Sequence, residues 1–91
     1  AIKTFTVTAS NFTFSLKEIK VKKGDKVKII LQNTGGTHDW VIDEFNARIA
    51  RIGNGQTATA EFTADKTGRF EYYCSVGTHR AMGMKGTLII E

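Results

Sequence analysis

Apolar and polar residues change places at every second position in run after run of this chain, and that habit excludes most folds. Phe5, Val7 and Ala9 alternate with Thr4, Thr6 and Thr8, and Phe12, Phe14 and Leu16 with Thr13 and Ser15. Ile19 and Val21 alternate with lysines, and beyond Gly24-Asp25 the series Val27, Ile29 and Leu31 continues the pattern. Ala58, Ala60 and Phe62 form a further set, then Phe70, Tyr72 and Cys74, then Leu88 and Ile90. Successive side chains of an extended backbone point to opposite faces, so these runs are half-buried strands, wet on one side.

Turn residues punctuate the runs at short intervals: Ser10-Asn11, Lys23-Gly24-Asp25, Asn33 to Gly36, Gly53-Asn54-Gly55 and Lys66-Thr67-Gly68. Seven to eight short strands so spaced predict an all-β, Greek-key β-sandwich. The segment Phe45 to Ile52 is ambiguous, because Ile49 and Ile52 have helical spacing and one helical turn fits it as well as a strand. At 91 residues, one domain over residues 1–91 is expected, and a chain this small buries only about 60–65% of its unfolded surface. Each large apolar side chain therefore matters.

Hydrophobic content of 41% and charged content of 24% are ordinary for a globular protein. The opening Ala1-Ile2-Lys3 runs directly into a strand pattern, as in an exported protein after signal cleavage or a soluble domain of an anchored protein. A periplasmic or extracytoplasmic location is the resulting expectation. Net charge is +4, and six lysines crowd one segment: Lys17, Lys20, Lys22, Lys23, Lys26 and Lys28. They read first as a solvated, edge-protecting strand face, and second as a docking patch for an acidic partner. No aromatic residues interleave them as a stacking platform for nucleic acid requires.

The chemistry is concentrated elsewhere. Cys74-x4-His79-x4-Met84 places the single cysteine, one of two histidines and a methionine within eleven residues. The other histidine stands in Gly35-Gly36-Thr37-His38-Asp39-Trp40, beyond a Gly-Gly turn at the start of a strand. One thiolate, two imidazoles and a thioether form the soft ligand set that suits copper in both of its oxidation states. Cys74 shares the parity of Phe70 and Tyr72, so its sulfur should point inward. Gly77 and Gly83 give the following loop the backbone freedom of a tight return.

These residues resemble the cupredoxins, small blue-copper electron carriers such as plastocyanin, azurin and rusticyanin. Gly68-Arg69-Phe70-Glu71-Tyr72-Tyr73-Cys74 looks like the strand leading into the family's copper cysteine, and His79-Arg80-Ala81-Met82-Gly83-Met84-Lys85-Gly86 like the plastocyanin loop. The Cys-x4-His spacing is closer to azurin or rusticyanin, and His38-Asp39-Trp40-Val41-Ile42 is similar to the azurin-type segment around the first histidine ligand. The resemblance covers essentially the whole chain. It implies His38, Cys74 and His79 as strong ligands of one type 1 copper, with Met84 as the weak axial one. Met82 is the alternative axial residue; with Met84 in that role, Met82 is expected on the surface beside His79, in an apolar docking patch with Ala81 and Gly36.

Two departures from the family pattern stand out. Asp39 replaces the usual Asn; its carboxylate can accept a hydrogen bond, for example from the Ser75 N–H, but cannot donate one when ionised. Phe70 replaces a frequent Tyr, so a tyrosine-corner bond cannot form there, although Tyr72 can offer a different one. Trp40, Phe12, Phe14, Phe62 and Phe70 are expected in the core. Tyr72 and Tyr73 should split by parity, one inward and one outward.

The resemblance implies a one-electron carrier, not an enzyme, exchanging electrons with donor and acceptor redox proteins as a monomer. A catalytic copper enzyme would need more ligands, and both histidines are already committed. A binuclear copper domain of the oxidase type is excluded by the single cysteine. A copper chaperone or sequestration protein would use the same ligands, and zinc would also bind such a set.

Overall fold

A computed structural model describes residues 2–91; Ala1, at the head of the opening strand pattern, lies outside them. Nine strands follow in chain order: β1 (Ile2–Ser10), β2 (Thr13–Phe14), β3 (Glu18–Val21), β4 (Lys26–Asn33), β5 (His38–Ile42), β6 (Ala47–Ile52), β7 (Thr57–Thr63), β8 (Gly68–Tyr73) and β9 (Lys85–Ile90). They form two mixed sheets, ordered β2-β1-β4-β7 and β3-β9-β8-β5-β6. The chain changes sheet between β2 and β3 and returns at β4, which is why β1 and β4 lie parallel, from Ile2 beside Lys26 to Ala9 beside Asn33. In the same way β3 runs parallel to β9.

The alternation becomes a two-layer core. Val7, Ala9, Val27, Ile29 and Leu31 of one sheet face Ile19, Val21, Tyr72, Leu88 and Ile90 of the other, all buried. Trp40 sits at the centre, fully buried, with ring centroids 5.2 Å from Tyr72 and 6.3 Å from Phe62. Its indole N–H is buried without a partner among the described residues. Aromatic rings at such separations add to the stabilisation from area burial alone. Tyr72 donates its hydroxyl to the Leu16 carbonyl at 2.8 Å, so the alternative to a tyrosine corner is formed, and it ties the β2–β3 connection to β8.

Among the described residues the ninth strand, beyond the expected seven to eight, is β6 in the segment left ambiguous, while the Phe12–Leu16 run contributes only a two-residue β2. Ser15 then turns back on β1, with its N–H on the Thr8 carbonyl and its hydroxyl accepting from the Thr8 N–H. The ambiguous segment resolves as a 3₁₀ turn at Asp43–Phe45 followed by strand β6. His38 pairs with Ile52 and Trp40 with Ile49, so three steps of β6 oppose two of β5. That bulge inserts one residue, and the helical spacing of Ile49 and Ile52 is its signature.

Candidate metal centre

Three chain segments meet at one end of the sandwich. β5 and β8 are antiparallel neighbours in the second sheet, with Val41 beside Tyr73, so the start of β5 and the end of β8 emerge together. His38 opens β5, and Cys74 directly follows β8. Met84 directly precedes β9, where the Cys74 N–H bonds the Met84 carbonyl at 3.1 Å as a last rung between the strands. His79 lies on the intervening loop.

The donor atoms converge. Nδ1 of His38 lies 3.3 Å from Nδ1 of His79, and Cys74 Sγ lies 3.9 and 3.5 Å from those nitrogens. The point equidistant from all three in their plane is about 2.1 Å from each, within the roughly 2.0–2.3 Å range of nitrogen–metal and sulfur–metal bonds. His38 and Cys74 are buried, and His79 is half-buried. With Met84 fully buried and bonded through its backbone to both Cys74 and His79, this is the arrangement typical of a single type 1 copper site. Met82, by contrast, is 53% exposed, with the Thr78 hydroxyl on its sulfur at 3.7 Å.

Neighbouring groups fix the ligating atoms. His38 Nε2 lies 2.6 Å from the Gly35 carbonyl, so Nε2 carries the hydrogen and Nδ1 keeps its lone pair for the triangle. Burial lowers the His38 pKa, against the opposing pull of the Gly35 bond; the nearby His79 lowers it further and Asp39 raises it. The net lowering favours the neutral ring that a metal needs. Burial also pushes the Cys74 thiol up, while backbone N–H groups of Asp39 and Val76 directed at the sulfur pull it back. The same two donors would stabilise a thiolate.

Asp39 accepts the Ser75 N–H at 2.6 Å and also the Ser75 hydroxyl. The carboxylate therefore joins the two ligand-bearing segments, as an acceptor can. Arg48 approaches it at 4.0 Å.

Two contributors were not legible as site residues. Asn33 is buried, and its amide donates to the carbonyls of Gly36 and Ile52 at 2.8 and 3.0 Å while accepting the Gly35 N–H at 3.1 Å. That holds the turn whose carbonyl orients His38. An Asn closing a strand before Thr-Gly-Gly was the available signal. Phe12 was expected in the core, yet it is 38% exposed, with its ring centroid 4.7 Å from that of His79. It occupies the two-residue connection between Ser10 and Thr13, paired ends of β1 and β2, where strand parity no longer applies. Phe12 therefore joins Met82 among the exposed large apolar residues at this end. Tyr72 and Tyr73 do split by parity, Tyr72 buried and Tyr73 reaching solvent.

Comparison with known proteins agrees with this geometry. The model of the cupredoxin-like domain matches residues 1–90. Nitrous-oxide reductases of Cupriavidus necator and Ralstonia nicotianae are 36% and 33% identical over 93 residues, covering 97% of this chain. The chain spans only 14% of the length of these curated relatives. Among solved structures, auracyanin of Roseiflexus castenholzii superposes with a TM-score of 0.88 at 23% identity, covering 97% of this chain and 96% of its own. Auracyanin A of Chloroflexus aurantiacus, described as a "blue" copper protein, gives 0.89 at 18% identity with full coverage of both chains. The fold, the buried thiol flanked by two imidazoles and the family match coincide, and the chain belongs to the cupredoxin-like domain family.

Proposed function

We propose that this domain carries single electrons between redox partners through one type 1 copper that His38, Cys74 and His79 would hold, with Met84 as a weaker fourth donor. The observation that supports it best is the Sγ, Nδ1, Nδ1 triangle, whose dimensions match metal–ligand bonds. When bound, copper would supply a one-electron couple, and the mixed imidazole, thiolate and thioether set suits both of its charges. His38 is held by Gly35, Cys74 by its strand and two N–H donors, and Asp39 links their segments. Ligands so constrained move little when the metal charge changes, which keeps the reorganisation cost of transfer small.

The half-buried His79, beside Phe12 and Met82, is the edge through which electrons would pass to a docked partner. The apolar surface there suits brief, low-area contacts. The partners are donor and acceptor redox proteins in a periplasmic or extracytoplasmic setting, and residues 1–91 act as one domain. The curated relatives support a second setting, in which such a domain relays electrons inside a larger reductase. Visible absorption and voltammetry of copper-loaded protein test the reading against a chaperone. An intense thiolate-to-copper band with a reversible potential is expected; a colourless, rapidly exchanging Cu(I) site would contradict it and favour the chaperone.

A further inference from the structure

The loop from Cys74 to Met84 brings the second imidazole to the site, and its ties to the sandwich are unequal. Its root is fastened by the Cys74–Met84 backbone bond and by Ser75 on Asp39. Its outer half bonds mostly to itself: the Met82 N–H reaches the carbonyls of Thr78 and His79, the Gly83 N–H that of Arg80, and the Met84 N–H that of His79. Among the described residues, two side chains of that half make polar or ring contacts with the sandwich. One is His79. The other is Arg80.

Arg80 reaches back over β8. Its guanidinium carbon lies 3.9 Å from the centre of the Tyr73 ring, and it pairs with the Glu71 carboxylate. Tyr73 is itself held, donating its hydroxyl to the Asp43 carboxylate oxygens at 2.9 and 3.0 Å. Tyr73 immediately precedes Cys74, and Arg80 immediately follows His79. The stack thus joins the neighbour of one donor to the neighbour of another. A planar guanidinium can pair with a carboxylate while stacking on a ring, which an ammonium cannot do as well.

We propose that Arg80 is a positioning residue that clamps the outer half of the loop onto β8, so that His79 is preplaced beside Cys74 before metal binding. The clamp acts in the metal-free protein; only its consequence for copper rests on the ligand assignment above. Local opening of a segment with so few ties is governed by those ties. Amide hydrogen exchange of the metal-free protein therefore tests it. Arg80→Ala removes ring contact and charge, and Arg80→Lys keeps the charge without the planar fork. Exchange at Met82 and Gly83 should quicken about fivefold in Arg80→Ala, somewhat less in Arg80→Lys. Exchange at Ile30, within the β1–β4–β7 sheet, should not change. In copper-loaded Arg80→Lys the EPR hyperfine pattern should shift from that of the wild type. Loop exchange unchanged within about twofold in both variants overturns the clamp, whatever the copper spectrum shows. A wild-type protein with no thiolate–copper band would instead overturn the ligand assignment, and the exchange result would still decide the clamp.

Discussion

Replacing Tyr72 with phenylalanine tests whether the bond between the β8 hydroxyl and the β2–β3 connection stabilises this small sandwich. The ring would keep its place, stacked 5.2 Å from Trp40 and 6.0 Å from Phe14, because no carbon atom is removed. What is lost is the 2.8 Å bond to Leu16 O, leaving a half-buried carbonyl without that donor. A net hydrogen bond is worth about 1 kcal/mol, and stranding a buried acceptor adds to it, so the cost should be roughly 1–2 kcal/mol at pH 7. For a domain of this size that corresponds to a Tm lowered by about 5–15 °C. The loss has a pH signature. Burial first, and the nearby Glu18 second, raise the Tyr72 pKa well above its ordinary value. The neutral phenol is thus favoured in the folded state, and its stabilising contribution is full below about pH 10. Above that pH the unfolded chain ionises while the folded one does not, so the contribution falls by up to ~1.4 kcal/mol per pH unit. Urea unfolding of metal-free wild type and Tyr72→Phe, at pH 7 and across pH 10 to 11.5, reads both effects. A difference under about 0.5 kcal/mol at pH 7 would refute the structural role. A difference that stays constant through pH 11.5 would refute the ionisation argument.

Other outcomes follow from the site. Gly36 has φ +82°, and a Cβ there would collide with Asn11 Oδ1 and lie 3.1 Å from His38 Nε2; Gly36→Ala should cost about 1–3 kcal/mol in chemical denaturation and weaken copper binding. Met84→Leu should raise the reduction potential by removing the soft axial donor while keeping the fold, whereas Met82→Leu should leave it nearly unchanged; protein-film voltammetry separates them, and the reverse order would make Met82 the axial residue. Asp39→Asn should also raise the potential, because a negative charge beside the centre favours Cu(II); an unchanged or lowered value counts against that role.

How much of this could be read from residue order depends on how local the cause is. Cys74 and His79 share one loop, and Cys74 ends a row whose parity assigns it inward, so the meeting of their side chains was legible. His38 was legible because a single second histidine lay just before a strand. Asn33 was not, since its amide works through Gly35, Gly36 and Ile52, and the last is nineteen residues away. Phe12 misled because alternation was carried through a turn that has no sheet face. Ile49 and Ile52 misled because a bulge shifts strand parity by one and imitates a helical step. The Arg80–Tyr73 stack depends on how the loop folds back across β8, which periodicity does not encode.

The central claim is that the Cys74 sulfur bonds copper between the rings of His38 and His79. Its most direct test is the visible spectrum of Cys74→Ser and wild-type protein, each reconstituted with cupric ion. The wild type should show an intense blue or green band and the serine variant none; a band of equal strength in both would contradict the assignment.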